Sequence, residues 1–190
     1  MKALLATVAA TAFILSGVAA KAGDIANAAG SAEQLLEDGK YDEAMKALDA
    51  VQEMIWRQAP LSIRKAVFVA AEPQGFGIYT ERQNNEFARN ESLIIYAEPF
   101  GFGYGREAEL FVIDLGLDFV IKASDGSVLA QQENFGSLTL RSRVPNREFM
   151  AKINYDFSGI APGDYEVITR MKDKNSDKVA EFTLPFKIKP

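Results

Sequence analysis

Three features of the sequence predict a mainly β chain, an antiparallel β-sandwich preceded by a short α-helical hairpin. Residues 24–58 are rich in Ala, Leu, Glu and Lys and show no strand-like alternation, which is the composition of helix. Beyond Pro60 the apolar residues alternate with polar ones, and turn residues separate the runs. The chain is 48% hydrophobic, with 13 Phe against 6 Tyr and 1 Trp. Phe has no polar group to satisfy, so this bias points to core filling.

Residues 1–22, MKALLATVAATAFILSGVAAKA, read as a secretory signal peptide. Lys2 is the positive start, Leu4 to Leu15 the apolar run, and Ala20-Lys21-Ala22 a small-x-small cleavage site; a second possible cut follows Ala20. The alternative is a retained N-terminal anchor, since Ala3 to Ala20 holds no charge. A periplasmic or secreted protein is expected, with no membrane contact after cleavage.

Residues 23–60 form the predicted hairpin. Asp24 is a candidate cap for a first helix ending near Asp38, and Gly39 is its stop. Asp42 and Glu43 favour the start of a second helix. Ala44, Leu48, Val51 and Ile55 form one stripe on it, widened by Ala47 and Met54. Gly39-Lys40-Tyr41-Asp42-Glu43-Ala44, with Leu48 following, resembles the turn and second helix of a tetratricopeptide repeat. That family stacks such units into a concave peptide-binding surface, and here a single unit is visible. A lone hairpin is expected to pack on the sandwich or pair with another copy. Trp56 at its end is a structural anchor toward the next domain.

Residues 61–190 are the predicted sandwich, with seven or eight strands. Arg64 to Ala71, Ser92 to Glu98 and Ala108 to Lys122 read as strands, the last with a bulge or bend at Gly116. Ser124-Asp125-Gly126-Ser127 is a hairpin turn, from which Val128 to Glu133 returns. Glu148 to Phe157 puts Phe149, Ala151, Ile153, Tyr155 and Phe157 on one face. Asp164 to Lys172 follows, and Val179 to Ile188 closes the chain. Ala161-Pro162-Gly163-Asp164-Tyr165 resembles the tyrosine corner of immunoglobulin and fibronectin type III domains, with Gly163 and Tyr165 as its structural residues. The last two thirds of the chain thus resemble the immunoglobulin-like domains that end certain exported bacterial proteins of unassigned function, a likeness that implies the fold and no activity.

Composition excludes several function classes. Without Cys there are no disulfides, thiolate metal sites or cysteine nucleophiles. Without His there is no Ser-His-Asp triad and no His-ligated zinc. No enzyme, cofactor or metal is expected. The net charge is −5, and an acidic chain with no basic block is a poor nucleic-acid binder.

One internal echo stands out. Ala71-Glu72-Pro73-Gln74-Gly75-Phe76-Gly77 recurs as Ala97-Glu98-Pro99-Phe100-Gly101-Phe102-Gly103, with Tyr79 and Tyr104 close behind. Each copy follows a strand that Pro is expected to end. Phe76, Tyr79, Phe100, Phe102 and Tyr104 are therefore candidate binding residues on two loops at one end of the sandwich, the alternative being that they plug the core. Glu72 and Glu98 hold matching places and would suit carboxylate chemistry if they shared a cleft. Asp173-Lys174-Asn175-Ser176-Asp177 has calcium-loop spacing without the required Gly, and reads as a polar hairpin. Arg141, Arg143 and Arg147 are a small basic cluster.

Together these features predict an exported, non-enzymatic binding or assembly protein of the cell envelope. Its contacts, with another envelope protein or a second copy, run through the hairpin or the Gly-Phe loops. The alternatives are a small-ligand or glycan-binding module and, more remotely, a carboxylate-dependent hydrolase.

Overall fold

The computed structural model describes residues 22–190, so the signal-peptide reading lies, but for Ala22, outside them. The described chain divides into two compact units, and the division falls inside the second helix, between Met54 and Ile55.

The first unit is the helical hairpin. Helix α1 spans Ala22–Glu37 and α2 spans Tyr41–Gln58. Asp24 lies in the first turn of α1 rather than capping it from outside. Gly39 stops α1 with a φ of 73°. There the Lys40 N–H donates to Leu35 O at 2.9 Å and the Gly39 N–H to Leu36 O at 3.1 Å, the paired bonds of a Schellman cap. Ala32 and Ala44 are buried where the two helices meet.

The second unit is a mainly antiparallel β-sandwich. One sheet has three strands, in the order β1 (Ser62–Phe68), β3 (Leu93–Phe100) and β7 (Ala151–Tyr155). The other runs β2 (Glu86–Phe87), β9 (Val179–Ile188), β8 (Gly163–Asp173), β5 (Leu110–Ala123), β4 (Gly105–Glu107), with β6 (Val128–Ser142) on the free side of β5. Among the described strands only β2 and β9 pair in parallel. The core is aromatic, as the Phe bias implies. Tyr155, for example, stacks on Phe135 and Phe157, and Phe157 on Phe186 of the other sheet. Tyr165 donates its hydroxyl to Ala161 O at 2.7 Å, which closes a tyrosine corner at the entry to β8.

Three details depart from the sequence reading. The pairing of β5 shifts register between Leu117 and Phe119 and between Ile121 and Lys122, while Gly116 pairs regularly with Ser137 and Lys172. The bulge sits where Asn134, at a φ of 51°, donates its N–H to the Asp118 carboxylate; Gly116 is merely flat backbone under Lys174. Strand β6 runs on to Ser142, since Phe135, Leu138 and Leu140 keep feeding the core. Strand β3 runs through Pro99, which the sequence reading takes as its end. Pro99 pairs with Ile63 beside a register shift in β1, and a ladder irregularity tolerates a residue that lacks an N–H.

Candidate binding surfaces

The two copies of the echo are positioned by different neighbours. The first copy leaves β1 and folds over the outer face of the three-stranded sheet. Ala70 donates to Thr80 O, Gln74 to Ile78 O and Ile78 to Gly75 O, which makes a tight turn with Phe76 and Gly77 at its tip. Gly77 has a φ of 71°, the conformation such a turn requires at that position. Beneath it lies Tyr96, fully buried, with Tyr79 stacked on it at a ring separation of 4.0 Å. The Gly77 N–H donates to the Tyr96 hydroxyl at 2.7 Å, and that hydroxyl donates to Glu98 Oε1 at 2.7 Å. Burial pushes the Tyr96 hydroxyl up to about 12; the Glu98 carboxylate adds to this and the Gly77 N–H opposes it. The tip turns outward: Phe76 is exposed, and so is Ile78, which no motif marks.

The second copy ends inside the molecule. Phe102 is 1% exposed, with its ring edge-on to Trp56 at 5.0 Å and to Phe149 at 5.8 Å. Phe100 is half-buried between Trp56, at 4.6 Å, and the Arg64 guanidinium, 3.5 Å from its centroid. The buried Trp56 indole N–H donates to Phe102 O at 2.7 Å. Tyr104 is half-buried and donates to Asn146 O at 3.0 Å. Phe102 is therefore a core residue and no part of an exposed rim, and Phe100 and Tyr104 pack half-buried against the core. Trp56 belongs to that same core cluster.

The loop between β8 and β9 holds this second copy in place. Asp173, itself buried, accepts the Gly103 N–H at 2.7 Å. Asn175 Nδ2 donates to Gly103 O at 3.2 Å and to Val112 O at 3.0 Å. Lys178 Nζ donates to Gly101 O at 2.7 Å. The calcium-like spacing is thus a polar hairpin whose acid and amide are spent on backbone groups. The other candidates are partnered too. Glu72 pairs with Lys152 at 3.1 Å while Glu98 takes the Tyr96 hydroxyl, so each carboxylate has its own contact. Arg141 makes a two-bond pair with Glu107 at 2.7 and 2.9 Å, and Arg143 lies 3.6 Å from Glu109.

Sequence reasoning missed a polar hollow of about 410 Å³ on the outer face of the larger sheet, lined by Asp118, Gln131, Glu133, Arg170 and Glu181 among others. It lies where β6 bulges opposite Asp118, and the sequence sign of that bulge is the run of polar residues in β6. Burial works to raise the Asp118 carboxyl. The Lys172 ammonium at 2.6 Å and the Asn134 N–H at 2.8 Å prevail and hold it below the usual carboxylate range.

The hairpin carries the larger apolar surface. Leu36, Tyr41, Met45 and Leu48 are 55, 67, 60 and 42% exposed. They line a groove of about 690 Å³ together with the small residues Ala26, Ala29, Gly30 and the buried Ala32 and Ala44. The stripe on α2 is buried at Ala44 and open at Leu48 and, in the second unit, at Ile55. Ala47, Val51 and Met54 are half-buried.

No family model matches the chain, and no curated protein matches it in sequence. Solved structures similar to it include the sporulation control protein Spo0M of Bacillus subtilis, at 8% identity and a TM-score of 0.34 over 70% of this chain. The chain spans half of that protein's length, 50%. A CARDB domain from Pyrococcus furiosus has 10% identity and a TM-score of 0.33, covering 68% of this chain and 86% of the domain. A superoxide reductase (neelaredoxin) from Ignicoccus hospitalis has 8% identity and a TM-score of 0.30, covering 67% and 82%. Similarity at this level says nothing about activity or site. Among the described residues no helix is long and apolar enough to cross a membrane.

Proposed function

We propose that this chain is an exported, non-enzymatic binding or assembly protein of the cell envelope, and that it docks a protein partner through the apolar groove of its helical hairpin. One observation carries the reading: Leu36, Tyr41, Met45 and Leu48 stand exposed together on two consecutive helices. Contiguous exposed apolar side chains are costly in water and mark contact surfaces. The leader-like residues 1–22 support the export half of the reading. The Gly-Phe loops support it less, since of their aromatic residues Phe76 alone is turned outward.

The test is cross-linking in intact cells with the full chain, comparing the double variant Met45→Gln/Leu48→Gln with Phe76→Ser. Substitution is preferred to deleting the hairpin because the last turn of α2 supplies Trp56 to the sandwich core. Loss of a defined cross-linked species in the hairpin variant, with retention in Phe76→Ser, is the expected result. The same species in both variants would remove the hairpin from the function, and loss in Phe76→Ser alone would move the site to the first Gly-Phe loop.

A further inference from the structure

The chain's negative charge is unevenly shared. Residues 23–54 hold eight carboxylates against two lysines, whereas residues 55–190 hold 18 acidic and 17 basic side chains. Nearly all the net charge of the described chain therefore sits on the small unit that carries the open groove. Glu33 lines that groove directly, and Glu37, Asp42 and Glu43 are exposed on the same two helices. The small Ala and Gly residues of its lining let a backbone come close, and a Cβ added at Gly30 would meet nothing within 4 Å. Large apolar walls stand beside it in Tyr41, Met45 and Leu48.

We infer that the occupant of the groove is a basic amphipathic helix of a partner protein, its apolar ridge seated between α1 and α2 and its Lys and Arg side chains facing the hairpin carboxylates. This rests on the docking reading above and adds the chemistry of the partner. An apolar ridge is required because the groove offers mainly carbon. Basic flanks are required because Glu33 lines the groove and the unit that carries it holds eight carboxylates against two lysines, and complementary charge speeds encounter and rejects acidic competitors. A second copy is disfavoured by the same charge, since two such hairpins would bring like charges together. An anionic lipid surface is disfavoured for that reason too.

The probe is a fluorescent helical peptide of Leu and Lys with one apolar face, titrated against the full chain by anisotropy. A peptide with every Lys replaced by Glu keeps the apolar face and reverses the charge. The basic peptide is expected to bind at least about tenfold tighter than the acidic one. Its affinity is expected to fall several-fold as salt rises from about 50 mM to about 500 mM. Met45→Gln/Leu48→Gln, with helicity checked by circular dichroism, is expected to weaken it about tenfold. Equal binding of the two peptides overturns the inference, as does binding that ignores the double variant. Sedimentation of the full chain as a dimer that the double variant dissolves also overturns it, because a second copy then fills the groove. The two readings fail separately. If the double variant loses its cellular cross-link while the basic peptide binds no better than the acidic one, the docking role stands and the charge assignment falls; an unaffected cross-link removes both.

Discussion

Two segments of nearly the same sequence meet opposite fates in this protein. Ala71–Gly77 lies across the outer face of a sheet and turns its Phe to solvent. Ala97–Gly103 ends under Trp56 and contributes Phe102 to the core. Each copy has one glycine at positive φ, but at different places: Gly77 after its Phe in the first copy, Gly101 before its Phe in the second. The difference lies in what surrounds them: open space on one side, and Trp56, Pro60, Asp173 and Asn175 on the other. A Gly-Phe motif does not fix its own backbone shape, and the neighbours that arrive from distant parts of the chain decide both that shape and whether the Phe is a contact or a plug.

Truncating the matching aromatics gives the largest contrast. Phe102→Ala removes a fully buried ring and should destabilise the chain by about 3–5 kcal/mol in urea unfolding. Phe76→Ala removes a ring from an exposed turn and should change stability by less than about 0.5 kcal/mol. Similar losses for both would mean that the two loops are equivalent after all.

This contrast also marks how far the sequence could be read. Strand alternation was legible because its cause is local. Val179–Ile188 alternates along its own length, and Phe149 to Phe157 shows its inward face directly. The turn at Asp125-Gly126 and the corner at Tyr165 were legible for the same reason. That Phe102 rather than Phe76 is the buried one was not, since it depends on Trp56 and on Asp173, 46 and 70 residues from the backbone groups they hold. The hollow at Asp118 was hidden likewise, because a bulge is a relation between two strands. The hairpin stripe was seen, but periodicity cannot tell whether a stripe is covered or left open.

The two glycines sharpen the comparison at a smaller scale. A Cβ at Gly101 would sit 2.3 Å from Pro60 O, a backbone atom that cannot swing aside, and its φ of 80° strains any L-residue as well. Gly101→Ala should therefore cost about 3 kcal/mol, combining left-handed strain with overpacking. A Cβ at Gly77 meets nothing within 4 Å, so Gly77→Ala carries the strain alone, about 1–2 kcal/mol. Equal midpoint shifts in urea would show that Pro60 yields and that the second loop is less tightly held than its hydrogen bonds imply.

The smallest effect tests what ties the first loop down. The Tyr96 hydroxyl accepts from Gly77 and donates to Glu98, so Tyr96→Phe should cost about 1 kcal/mol while keeping the stacked ring. Ionisation offers the same test without a mutation. Folding raises this hydroxyl from near 10 to about 12, so the folded chain holds its proton where the unfolded chain has lost it. The resulting stabilisation is complete below pH about 10 and is lost as pH climbs toward 12. Burial also pushes the Tyr155 hydroxyl up, so the slope in this range has two contributors. Unfolding free energies across the alkaline range should therefore fall less steeply for Tyr96→Phe than for the parent chain, without becoming flat. Identical slopes would mean that Tyr96 ionises as freely as an exposed tyrosine. The first Gly-Phe loop would then lie over the sheet without sealing it, and the two copies of the echo would differ in burial but not in how firmly their surroundings fix them.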